Sequence, residues 1–82
     1  MIVDGKVDSW ETITLVVETE GVNQMSVKLL GRDDKYIYTH IKKNSPVQAR
    51  TIFSRFPKMD VERVLYDLRD SYLIYFVRVE VK

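Results

Sequence analysis

Cysteine is absent from this chain of 82 residues. That excludes a disulfide framework and any thiolate metal site, and leaves the fold to its own core. Hydrophobic residues make up 45% of the chain. This is enough for one domain, 1–82, that buries about 60–65% of its unfolded surface. Only three glycines occur, Gly5, Gly21 and Gly31, and they stand too far apart to form a phosphate-cradling loop. The longest apolar run, Tyr72–Val77, is far short of the ~20 residues that a membrane-spanning helix needs. The start, Met-Ile-Val-Asp-Gly-Lys, has acid and glycine where a signal peptide has a basic start and an apolar stretch. These features predict a cytoplasmic protein with no membrane partner.

Catalytic groups are scarce. His40 is the sole histidine. A nucleophile–base pair would need Ser or Thr beside it, and on a strand the adjacent Thr39 points to the opposite face. Asp33-Asp34 reads as a pair of turn formers, without the spacing of a calcium loop. Asp60 and Glu62 stand at a helix start, where the helix dipole favours acids. The expectation is no enzyme: no catalytic residue, no metal and no cofactor.

What the chain does have is alternation. Val3-Asp4-Gly5-Lys6 carries the Asp-Gly signal of a tight hairpin turn. Trp10–Thr19 reads as a strand with Ile13, Leu15 and Val17 on one face. Glu20-Gly21-Val22-Asn23 reads as a turn, Gln24–Leu30 as a second strand, Gly31–Asp34 as a turn and Lys35–Lys42 as a third strand. Helical signals begin at Ser45, a good N-cap, with Pro46 at the first helical position and Gln48 three residues after the cap. Ala49, Ile52, Phe53 and Phe56 then form one apolar stripe, which Pro57 ends. Asp60 caps a second helix on Val61, Val64, Leu65 and Leu68. Val, Leu and Tyr there also allow a strand, but alternation is poor, and Asp70-Ser71 breaks the segment before a last strand, Tyr72–Val81. The expected class is α+β: a four-stranded antiparallel sheet, β-β-β-α-α-β along the chain, with one or two helices on one face.

The last strand is apolar on both sides. Leu73, Tyr75, Val77 and Val79 are expected beneath the helices. Tyr72, Ile74 and Phe76 are expected on the open face, beside Tyr36, Tyr38, His40 and Lys42 if the third strand lies next to the last. An aromatic face of that size is either core, if the helices divide between the two faces or the sheet curls into a small barrel, or a partner surface, whose residues would be Tyr36, Tyr38, His40, Tyr72, Ile74 and Phe76.

Net charge is only +1, but it is unevenly spread. Residues 1–41 hold four basic and seven acidic side chains, a balance of −3; residues 42–82 hold nine and five, a balance of +4. Lys42, Lys43, Arg50, Arg55 and Lys58 fall in a stretch without acid. Together with the aromatic stripe they mark an alternative, nucleic-acid-binding surface.

Val7-Asp8-Ser9-Trp10-Glu11, followed by Leu15 and Gly21, is similar to the opening of small phage-encoded uracil-DNA glycosylase inhibitors. The resemblance implies a small α+β inhibitor that dimerises. The chain lacks the acidic balance by which that family mimics DNA, so no site residue is carried over. The expected function is a non-enzymatic protein-binding module, a homodimer, of the kind a phage or mobile element uses to inhibit or regulate a host protein. The alternative is nucleic-acid binding through the aromatic and basic residues.

Overall fold

The computed structural model describes residues 1–20 and 24–79. Its elements run β1 (Ile2–Val3), a 3-10 turn (Trp10–Thr12), β2 (Ile13–Val17), α1 (Gln24–Lys28), α2 (Arg32–Asn44), β3 (Val47–Gln48), α3 (Ala49–Arg55), α4 (Val61–Asp70) and β4 (Ile74–Arg78). The strands form one antiparallel sheet in the order β1-β4-β2-β3. This is the expected α+β class. The order β-β-β-α-α-β is kept, with α1 and α2 inserted between the second and third strands.

That insertion corrects the sequence reading. Residues 24–28 and 32–44 are helical, so the strands expected at 24–30 and 35–42 do not form. Ile37 and Ile41 alternate with polar neighbours, but they are also one helical turn apart. Three features decide for helix: Asp33 and Asp34 in the first turn, Lys42 and Lys43 in the last, and a buried stripe of Ile37, Tyr38 and Ile41. The charges complement the helix dipole, and the stripe has helical spacing. The two missing strands are replaced by short edge segments, β1 and β3. Asp4-Gly5 is therefore no hairpin turn, since β1 pairs with β4 rather than with the strand that follows. Ser45 does not cap α3, which starts at Ala49. Its hydroxyl instead accepts from the Val17 amide at 3.0 Å. The turn expected at 20–23 lies outside the described residues from 21 on, as does the strand end at 80–81.

The register also corrects the faces of the last strand. Phe76 lies opposite Leu15 and Val3, Ile74 opposite Val17, and Leu15 opposite Val47. Directly paired residues share a face, so Val3, Phe76, Leu15 and Val47 form one row across all four strands. This row faces the helices. Leu15, Ile74 and Phe76 are buried with Ile37, Tyr38 and Ile41 of α2, Ala49 and Ile52 of α3, and Val61, Val64, Leu65 and Leu68 of α4. The open face carries Ile2, Thr14, Val16, Tyr75 and Val77 instead. A strand that is apolar both ways does not reveal which face is covered; only its pairing does.

The C-terminal end of α3 and both ends of α4 match their sequence signals. Pro57 follows α3, whose C-cap is Phe56. Asp60 Oδ1 accepts from the Arg63 amide at 3.4 Å at the start of α4. At the other end of α4, the Leu73 amide donates to Leu68 O and the Tyr72 amide to Arg69 O, both at 3.0 Å. This pair of bonds is a Schellman cap. The left-handed position in such a cap is usually glycine, but here it is Tyr72, at φ 60°. The residue is 82% exposed, so packing does not offset the backbone strain. Tyr72→Gly is expected to raise stability by about 0.5–1 kcal/mol, or about 2–8 °C in Tm. Calorimetry on the two proteins checks this, and a lower Tm for the glycine variant would contradict the strain.

Candidate functional site

Helix α2 has two working sides. The stripe Ile37, Tyr38 and Ile41 enters the core. Arg32, Lys35, Tyr36, Thr39, His40 and Lys43 follow one another at alternating spacings of three and one. On a helix this places them on one strip, which faces away from the core. The neighbouring wall comes from the end of α3. Pro57 stops that helix, the Phe56 amide donates to Ile52 O at 3.0 Å, and Phe56 is left half-buried. Its ring meets the His40 ring edge-on, with centroids 5.5 Å apart at 85°.

The two walls enclose an open groove of about 590 Å³, lined by Arg32, Lys35, Tyr36, Thr39, His40, Lys43, Arg55 and Phe56. Four of these are permanent cations and none is an acid. The floor is mostly apolar, and Tyr36 lies 57% exposed on it. Burial holds the His40 imidazole below its ordinary pKa of 6.5, and the positive charges of Arg55 and Lys43 lower it further. His40 is therefore mainly a neutral ring at pH 7, framed by charges it does not itself supply. Such a groove suits an anionic ligand that also has a flat apolar part.

The groove gathers residues from both sets expected on sequence grounds. Tyr36 and His40 come from the aromatic set, Lys43 and Arg55 from the basic one. The rest lie elsewhere. Tyr38 is buried, and burial raises its pKa. Ile74 and Phe76 are core, so the continuous aromatic sheet face does not form. Lys42 is exposed on another side of α2, and Lys58 is exposed in the α3–α4 turn. Arg50 donates through Nε to Gln48 Oε1 at 2.8 Å, at the start of α3. Tyr72 borders a different depression, with Asp4, Arg69, Asp70, Ile74 and Tyr75. Arg32, Lys35, Thr39 and Phe56 were not expected in a site. A helical reading of 32–43 finds the first three; Phe56 needs the meeting of α2 and α3.

The remaining polar clusters are structural. Arg69 donates to Gly5 O at 2.7 Å and Val3 O at 3.3 Å, and its guanidinium lies over Tyr66 and Phe76. It fastens the N-terminal segment to α4. Arg63 joins Asp67 at 2.9 Å, Asp60 at 3.7 Å and Asp34 of α2 at 3.9 Å. Burial raises the Asp34 pKa, Asp67 raises it further, and Arg63 opposes both. No group of three or more metal-ligating side chains is found among the described residues.

No protein-family model matches the chain, and no curated protein or solved structure matches it either.

Proposed function

We propose that this chain is a non-enzymatic nucleic-acid-binding module that holds its ligand in the groove between α2 and the end of α3. One observation carries this reading: Arg32, Lys35, Lys43 and Arg55 surround an apolar, aromatic floor with no acid among the lining residues. Phosphate neutralisation by lysine and arginine supplies most non-specific nucleic-acid affinity. The net charge of +1 does not weaken the argument, because the cations are gathered in one place. The acids Asp34, Asp60 and Asp67 gather around Arg63.

Fluorescence anisotropy with labelled oligonucleotides across a salt series tests this. Four neutralised phosphates, each contributing about 0.7, give a slope of about −3 in log K against log salt. Binding that ignores salt, or no binding at all, removes the reading.

A second reading, protein binding with self-association, rests on the open side of the sheet. Ile2, Thr14, Val16, Tyr75 and Val77 share it without a charge among them, and Ile2 is exposed. From strand spacing and rise its footprint is on the order of 250 Å². A standard interface buries about 800 Å² per partner, so a homodimer would need further contacts. An inhibitor or regulator of another protein is the heteromeric form of the same reading. Light scattering at micromolar concentration distinguishes a dimer from a monomer.

A further inference from the structure

We infer that the groove takes single-stranded rather than duplex nucleic acid, with a base stacked on the Tyr36 ring and phosphates held between Arg55 and Lys43. The inference rests on the nucleic-acid reading and narrows it to one ligand class.

Three observations support it. First, the site is a depression between two helices, and its volume falls in the ~300–1,000 Å³ range of pockets that enclose a small ligand. That is room for about one or two bases, while the backbone on either side runs past the cations at the rim. A duplex keeps its bases stacked inside and would meet only the rim. Second, the exposed Tyr36 ring and the half-buried Phe56 belong to the groove itself. An unpaired base has a flat apolar surface that covers such rings, and single-strand binders draw on this stacking. Third, the cations lie on both walls, Lys43 on α2 and Arg55 at the end of α3. A strand in the groove therefore has positive charge on either side of its backbone.

The division of labour gives each residue its own readout. At ~0.1 M salt, a sixteen-residue oligo-dT and a GC-containing sixteen-base-pair duplex, which stays paired at probe concentrations, are compared by anisotropy. Wild-type protein is expected to favour the single strand. Tyr36→Ala should weaken single-strand binding about 5- to 100-fold and leave the duplex affinity and the salt slope unchanged. Tyr36→Phe should retain the affinity, because stacking needs the ring and not the hydroxyl. Arg55→Gln should lower the slope by about 0.7 and keep the preference for single strands. Tyr36 and Arg55 are both exposed, so these variants keep the core; circular dichroism checks that. Equal affinity for the two oligonucleotides overturns the inference, as does a Tyr36→Ala variant that loses both alike. Poly-glutamate displacing the strand as well as oligo-dT does would assign the groove to acidic protein segments. If no oligonucleotide binds with salt dependence, the broader reading fails as well, and the two failures are distinguishable.

Discussion

Phe76→Ala is expected to cost about 3–5 kcal/mol, against about 4–12 kcal/mol for the whole domain. Phe76 is fully buried. With Leu15 it forms the inside of the row Val3–Phe76–Leu15–Val47, and its other side meets the aromatic cluster. The Trp10 centroid lies 5.3 Å away, the Tyr66 centroid 6.1 Å, and the Arg69 guanidinium 4.8 Å. Alanine would leave a cavity bordered by large side chains that are already fixed. Trp10 is tied by Nε1 to Glu62 at 2.9 Å, and the Tyr66 hydroxyl accepts from the Val7 amide at 2.9 Å. Neither ring moves into the gap without losing its bond, so little of the cost is recovered by collapse. Urea titration followed by circular dichroism measures the loss, and a value under about 1.5 kcal/mol would refute the keystone role. Phe76→Leu, nearer in volume, should stay folded and lose about 1–1.5 kcal/mol. Tyr75→Ala, one residue away on the open face, should cost about 1 kcal/mol or less. The contrast between neighbours tests the register directly.

Lys43→Glu combined with Arg55→Glu should abolish the oligonucleotide affinity with little change in the fold. At ~0.1 M salt each neutralised phosphate is worth about 1 kcal/mol. Exchanging two of four cations for acids cancels the whole balance, a loss of about 3–4 kcal/mol or 100- to 1,000-fold in Kd. Both side chains are exposed, so the core is untouched, and the acids placed in the last turns of α2 and α3 should cost each helix about 0.3–1 kcal/mol. The same variant carries a check that needs no ligand. In the native protein the folded His40 pKa lies below 6.5, from burial first and then from Arg55 and Lys43. The unfolded chain therefore binds a proton more readily between that folded value and 6.5. The stability due to neutral His40 is fully present above pH 6.5 and is lost as pH falls through the folded value. With two acids in place of the cations, burial alone still lowers the pKa and the new charges raise it. The His40 titration by NMR should move upward and the acid-side loss of stability should shrink. An unmoved midpoint would mean that these side chains do not frame the imidazole.

Local chemistry made α3 and α4 legible. Pro57 and Asp60 punctuate the chain whatever surrounds them, and Val61, Val64, Leu65 and Leu68 fit the helical period better than they fit alternation. Strand β2 was legible as part of the longer segment 10–19, since Ile13, Leu15 and Val17 alternate with Thr12, Thr14 and Val16; its start was not, because residues 10–12 form a 3-10 turn. Helix α2 was not, because Ile37 and Ile41 satisfy both periods and the tyrosines between them favour strands. The decisive sign was the charge order, acids at 33 and 34 and lysines at 42 and 43. The faces of β4 were illegible in principle, since their assignment comes from pairing with β2. The groove inherited the α2 misreading. Its residues were divided between an aromatic set and a basic set, and only the helical period unites Tyr36, His40 and Lys43. Arg55 and Phe56 join them through tertiary packing, which no local pattern encodes.

The sheet ends on both sides in strands only two residues long, β1 and β3, and Pro46, just before β3, has no amide hydrogen to offer. Long, flat, unpaired edges are where foreign strands add and fibrils grow. Here each border strand offers only a few backbone groups and covers two residues of its five-residue neighbour, so no long unpaired edge remains. The chain is thereby guarded against accretion even though one side of its sheet is uncharged. Whatever meets that side must do so through side-chain contact alone, because the sheet leaves a neighbour almost no backbone to pair with.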